Sequence, residues 1–300
     1  MKKFLVAAFL LMLAGCSHSK KEEVQIVNSF YPVDQIVKNL SSSMVSYNLI
    51  GEKEVHGFQP SVKDALMMES ADLVIIVDKN LESFSQDLNN SNVIELNANI
   101  DLIKTSDDHD DHDDHDDHDD HDDHDDHNHG GTDPHTWMSP KQLLTFTSLV
   151  KDQLINKYPD LKTEIENNYD VFSKELSNIN DRYLSLKNSC KLDTALVSHD
   201  FMGYIAKDYE LQFQNIHGLN PHDKLSIKNF VDLNKSVQKN PIEGLLYGVG
   251  ELDENAKTLA KTNNLDLVPI YSMERSVDNL NLLQLLEKNL ESLKTAFKCQ

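Results

Sequence analysis

Between Leu161 and Leu186 eight apolar residues recur every three or four positions: Leu161, Ile165, Tyr169, Phe172, Leu176, Ile179, Tyr183 and Leu186. That spacing places them on one stripe of a single helix. At 1.5 Å rise per residue the helix is roughly 40 Å long, the breadth of a whole domain. A shorter helix precedes it. It opens at Ser139-Pro140, an N-cap followed by Pro at the first helical position, and ends near Tyr158, where Pro159 stops it. The stripe lies near the middle of the 300-residue chain and therefore reads as a strut joining two lobes. A coiled-coil dimer segment is the competing use of such a stripe.

The sequence on either side of the strut has one rhythm. Before it, "VQIVNSF" from Val24, "MVSYNLI", the continuous apolar "DLVIIVD" and "NVIEL" read as strands. They alternate with the helical segments "PVDQIVKNL" and "SVKDALMMESA", the latter N-capped by Ser61. After it, "TALVSH", "LQFQNI", "IEGLLYGV" and "LDLVPI" are strands, with helices starting at about Phe201, Ser226, Asp253 and Asp278. Alternation of this kind implies parallel sheets covered on both faces. The expected fold is α/β, two Rossmann-like lobes joined by the long helix, with a ligand site in the cleft outside the carboxyl ends of the strands. The expected divisions are a first lobe over 24–140, a helical linker over 141–189 and a second lobe over 190–300.

The N-terminus reads as an export signal over residues 1–15. Lys2 and Lys3 precede "FLVAAFLLMLA", a run too short to span a bilayer as a helix. The "LAGC" that follows resembles the lipobox of bacterial lipoproteins, which predicts lipidation at Cys16 and a tether over 16–23. The protein is then expected outside the cytoplasm, anchored by lipid and not spanning the membrane. Cys190 and Cys299 suggest one disulfide in an oxidising compartment, with two free thiols as the alternative. No second close cysteine supports a zinc–thiolate site.

The formal charge is −22, but a repeat of Asp-Asp-His from Asp107 to His127 carries fourteen of those negatives. Without it the net charge is about −8, ordinary for this length. No basic patch points to nucleic acid. The segment 105–131 cannot bury apolar area and is expected to stay disordered without metal. A period of three puts His109, His112, His115, His118, His121, His124 and His127 on one edge of a polyproline-II helix, with His129 just beyond. Such ligands give weak, multiple, pH-dependent metal sites. An inert acidic spacer would have no use for histidine at that period.

Three histidines stand outside the repeat near predicted strand ends or loops: His56 in "GEKEVHGFQPSVKD", His135 in "DPHTWMSP" and His199 in "ALVSHDFMGY". Neutral imidazole is a common Zn²⁺ ligand, and three leave one corner of a tetrahedron to fill. These motifs resemble those of the zinc and manganese solute-binding proteins of ABC transporters, the ZnuA-type or cluster A-I family. "DPHTWMSP" is similar to the Asp-Pro-His-x-Trp motif. "HGFQPSVKD" and "SHDFMGYIAKDYEL" are similar to the first and third ligand motifs, and "GLNPHDKLS" to the segment that follows. The resemblance covers essentially the whole mature chain in the right order. It implies His56, His135 and His199 as metal ligands, Zn²⁺ as cargo and an ABC permease as partner to a monomer.

The sequence departs from the family at the fourth ligand. "PIYSM" puts Tyr271 where many members carry an Asp. The Glu that members often have after the preceding strand falls on Gly248, with Glu251 nearby. Water is the first choice for the fourth position, and a carboxylate of Glu52, Glu54 or Glu251 is the alternative. Tyr271 ranks lower because a phenol must lose a proton of high pKa. Three histidines without an Asp suit Zn²⁺ better than Mn²⁺, although a manganese protein of the same family is the runner-up. A metal-buffering or adhesive surface lipoprotein is a further alternative. A zinc hydrolase with an open water position is another, but no HExxH or similar motif supports it. His217 and His222 read as surface or loop residues, and Trp137 as packing at the helix entry.

Overall fold

The computed structural model describes residues 25–51, 53, 55–88, 92–105, 131–220 and 225–300. The predicted signal peptide, Cys16, Glu52, Glu54, His222 and the whole Asp/His repeat lie outside these residues. The first lobe runs β1 (Ile26–Asn28), α1 (Tyr31–Leu40), β2 (Ser46–Asn48), α2 (Val62–Ser70), β3 (Leu73–Ile76) and β4 (Val93–Glu95). Three consecutive helices follow: α3 (Pro140–Lys157), α4 (Lys162–Leu184) and the short α5 (Leu186–Ser189). The second lobe runs β5 (Thr194–Val197), α6 (Gly203–Tyr209), β6 (Gln212–Asn215), α7 (Ile227–Lys239), β7 (Gly244–Gly248), α8 (Glu254–Asn263), β8 (Asp266–Ile270) and α9 (Leu282–Ala296).

Both sheets are parallel and have the same topology, β2-β1-β3-β4 and β6-β5-β7-β8. The continuous apolar runs become central strands. β1 and β3 are buried throughout, and Ala195, Leu196 and Val197 of β5 are buried under helices on both faces. The edge strands are less covered: β6 has no buried position, and in β8 only Val268 and Ile270 are buried. Two lobes of equal topology therefore present their strand carboxyl ends, where ligands of such sheets bind.

The strut holds the lobes together. Ile165, Phe172, Leu176, Ile179 and Tyr183 of α4 are buried. The helix packs on α3 and α1 toward the first lobe and on α9 of the second. Asn168 donates to the carbonyl of Leu40 at 3.0 Å, and the Tyr183 hydroxyl donates to that of Leu286 at 2.7 Å. One hydrophobic cluster runs from Ile26 and Val33 through Leu143, Phe146 and Leu176 to Leu286 and Phe297. A smaller cluster around Leu196, Leu245 and Leu259 fills the other face of the second sheet. The stripe is thus used up in intramolecular packing. The single helix expected to Leu186 is interrupted at Ser185, and α5 continues to Ser189 before Cys190, which is joined by a disulfide to Cys299.

Local chemistry sets most helix starts. Ser61 and Asp64 form a reciprocal capping box on α2, and Ser226 and Asp253 cap α7 and α8. One start differs from expectation. The last helix begins at Leu282, capped by Asn281, because Asp278 and Asn279 are left-handed at φ 53° and 56° and cannot lie in a helix. Ser139 does stand at the N-cap of α3, yet its hydroxyl donates to Asp208 of α6 at 2.7 Å and not to the helix backbone. The buried Asp208 also accepts from Lys141 and Gln142, each at 2.8 Å, so this helix start is a joint between α3 and the second lobe.

Candidate metal centre

His56 stands in the loop after β2, beside Gly57, whose φ of 73° lets the chain turn. His135 ends the approach to α3, and His199 follows β5 at its carboxyl end. The fold brings all three together. Their ring centroids are 5.5 Å (His56–His135), 5.9 Å (His135–His199) and 6.4 Å (His56–His199) apart. One nitrogen from each lies within 4.8 Å of the others. A tetrahedral Zn²⁺ bonded at about 2.0–2.1 Å needs nitrogens about 3.4 Å apart, so small side-chain rotations complete the set. His56 is half-buried, whereas His135 and His199 are each 1% exposed.

The Asp-Pro-His segment orients its own histidine. Asp133 Oδ1 accepts from the His135 backbone N–H at 2.9 Å and faces its Nδ1 at 2.8 Å. With Nδ1 donating, Nε2 is the nitrogen left for a metal. The segment is anchored on both sides. The Tyr204 hydroxyl donates to the carbonyl of Asp133 at 2.9 Å and accepts from the N–H of Ile103 at 3.1 Å. Gly203 is required beside it, since a Cβ there would fall 2.3 Å from Asp133 Oδ2. The Gly-Tyr pair at the start of α6 thus lets the second lobe close on the carboxylate that orients His135.

Behind this segment lies a buried polar network. The Thr136 hydroxyl donates to Asn97 Oδ1 at 2.6 Å, and Asn97 Nδ2 donates to Asp78 at 3.0 Å and to the Pro134 carbonyl at 3.3 Å. Glu82 accepts from the N–H groups of Val77 and Asp78 at 2.6 and 2.8 Å, and burial pushes its carboxyl up to about 8. Asp200 is pushed up to about 6, first by burial and then by the charge of Asp133.

His199 is held differently. Phe201 stacks on its ring at a centroid distance of 4.3 Å, and Glu251 Oε2 stands 3.4 Å from its Nδ1. Trp137 does more than fill space. Its Nε1 donates to the Ser272 carbonyl of the second lobe at 2.8 Å, and its ring meets Phe30 edge-on.

Of the candidates for a fourth ligand, Glu251 lies beside His199. Tyr271 is turned to other partners. Its backbone N–H and carbonyl pair with the Asn289 amide at 2.8 and 2.9 Å, and it lines a surface groove with Pro269 and Glu287. Sequence reasoning missed Glu274, a carboxylate 6% exposed whose Oε2 is 3.5 Å from the N of Val55, next to His56. Nothing local in "YSMERS" signals that contact. His217 is buried and not a surface residue, and its Nε2 lies 2.6 Å from Asp253, the N-cap of α8.

Residues 26–296 match the family described as "Zinc-uptake complex component A periplasmic", ZnuA. The chain belongs to the ZnuA family. Among curated relatives it is similar to the high-affinity zinc uptake system protein ZnuA of Bacillus subtilis, 26% identical over 97% of this chain and 95% of that one. It is likewise 26% identical to the zinc-binding lipoprotein AdcA of Streptococcus pneumoniae, over 97% of this chain and 59% of that one. The chain therefore spans little more than half the length of the AdcA relatives, 56% for the protein of Streptococcus pyogenes. Solved structures share the fold. The Zn(II)-bound ZnuA-like domain of Streptococcus pneumoniae AdcA superposes with a TM-score of 0.73 at 24% identity, covering 92% of this chain and 99% of that one. The laminin-binding protein of Streptococcus agalactiae superposes with a TM-score of 0.77 at 19% identity, covering 92% and 99%.

Proposed function

We propose that this chain is the extracytoplasmic zinc receptor of an ABC importer, and that it captures Zn²⁺ and performs no catalysis. The single observation that carries the proposal is the meeting of His56 and His135 from the first lobe with His199 from the second, with ligand nitrogens within 4.8 Å. Three neutral imidazoles match the preference of Zn²⁺ for nitrogen donors, where Mn²⁺ prefers more oxygen. The burial of His135 and His199 excludes water and strengthens the bonds the ion makes. The fourth position is filled by water or by a carboxylate.

The same reading gives the Asp/His repeat a second task. His109 to His129 act as an accessory collector that raises the local metal concentration beside the cleft. Cys16 carries the lipid that anchors the protein. The relative from Streptococcus pneumoniae is likewise named a lipoprotein, and among the described residues no helix is long and apolar enough to cross a membrane. The monomeric state is supported by the burial of the α4 stripe within the chain.

Metal analysis of protein purified without added metal, with and without residues 107–129, tests this reading. We expect one tightly held zinc in both forms and loss of weak sites only from the shortened one. A tight zinc that disappears with the repeat would make the repeat the main site and sink the proposal.

A further inference from the structure

Glu251 does not come from the turn that carries His199. It lies in the loop between β7 and α8 and folds back over the end of its own strand. Its N–H donates to the Gly248 carbonyl at 2.8 Å, and Gly250 takes a φ of 92° that only glycine adopts without strain. A Cβ on Gly248 would lie 2.2 Å from Glu251 Oε2, 2.5 Å from its Cδ and 2.9 Å from Oε1. The carboxylate thus occupies the volume that any side chain at 248 would fill.

Both ends of this loop are fastened to the strand that leads into His199. The N–H of Ser198 donates to the Leu246 carbonyl at 2.9 Å, and Gly248 N lies 3.4 Å from Ser198 Oγ. At the far end Asp253 caps α8 and holds His217, whose own N–H donates to the Ser198 carbonyl at 3.0 Å. The carboxylate is therefore delivered to one place, 3.4 Å from His199 Nδ1, while Phe201 covers a ring face.

We infer that Glu251 is a positioning residue for His199, and that Gly248 is kept without a side chain to admit it. Glu251 holds the Nδ1 side of the ring and turns Nε2 toward the ion, as Asp133 does for His135. This rests on the reading of the three histidines as zinc ligands.

The test is a double-mutant cycle on the full chain, with melting temperature recorded for every variant. Zinc affinity is read by competition with a chromophoric chelator. Glu251→Ala is expected to weaken binding about 10–100-fold, the usual effect of losing a ligand's outer partner. Glu251→Gln keeps an acceptor oxygen and should restore most of the loss. Gly248→Ala should cost nearly as much as Glu251→Ala, but less than about twofold when Glu251 is already Ala. A Gly248→Ala effect that persists undiminished in the Glu251→Ala background overturns the inference, because the glycine would then serve the fold alone. So does wild-type affinity in Glu251→Ala.

Two spectroscopic readings complete the test. Nitrogen NMR should report His199 protonated on Nδ1 with and without zinc, and a mixture of tautomers in Glu251→Ala. X-ray absorption should count the same nearest neighbours of zinc in both proteins, and a lost oxygen would make Glu251 a ligand instead. The tautomer in metal-free protein tests the inference even if the chain binds no zinc, an outcome that would overturn the proposed function separately.

Discussion

His135 and His199 are equally buried, yet the chain secures them by opposite means. Asp133 sits two positions before His135 and grips both its backbone and its ring, at 2.9 and 2.8 Å. Glu251 reaches His199 from another strand–helix connection and stops at 3.4 Å. The first arrangement is compact and local in sequence, although Gly203 and Tyr204 of the second lobe close on it. The second exists only if β5, β7 and the loop after β7 are all in place. In each case a glycine makes the room: Gly203 for Asp133 and Gly248 for Glu251. One half of the site is thus written into a short motif, and the other is assembled by the fold.

The largest break in this comparison comes from removing one of the proposed ligands itself. His135→Ala and His199→Ala should each cost more zinc affinity than the 10–100-fold typical of an outer partner, measured by calorimetry or chelator competition. Unchanged tight binding in His135→Ala would remove the site from consideration. A smaller effect sharpens the contrast. Asp133→Ala should weaken zinc about 10–100-fold and by more than Glu251→Ala in the same titration, because its contact is shorter and buried on both sides. The reverse order would mean that the assembled half is the better held.

The smallest effect concerns the network that backs the first half. Burial raises the Glu82 carboxyl to about 8, above its ordinary 4.5, so the folded chain holds that proton more tightly than the unfolded one. The corresponding stability is complete below the ordinary value and is lost as pH rises through about 8. Glu82→Gln keeps an oxygen for the Val77 and Asp78 N–H groups without the charge. Thermal melts should therefore favour the variant by several degrees more at pH 9 than at pH 5. A gap that does not change with pH would show that Glu82 does not titrate in this range.

How much could be read from the sequence follows the same division. The eight strands were legible because each is a short apolar run between turn residues, and the strut because its stripe keeps helical period over many turns. His135 was legible with its partner Asp133 inside the motif. The pairings of Glu251 with His199, His217 with Asp253 and Glu274 with Val55 were not, since each joins residues far apart in the chain. The start of α9 was misplaced for a related reason. Asp278 and Asn281 both resemble N-caps, and the left-handed turn at Asp278 and Asn279 decides between them. At Ser139 a tertiary acceptor, Asp208, outcompeted the helix end.

The most direct measurement of the central claim is zinc X-ray absorption on protein lacking residues 107–129, loaded with one equivalent of metal. Scattering from three imidazole rings at about 2.0–2.1 Å, plus one oxygen neighbour without a ring, is the result expected of a centre built from His56, His135 and His199. Fewer than three imidazoles, or no zinc retained at one equivalent, would contradict it.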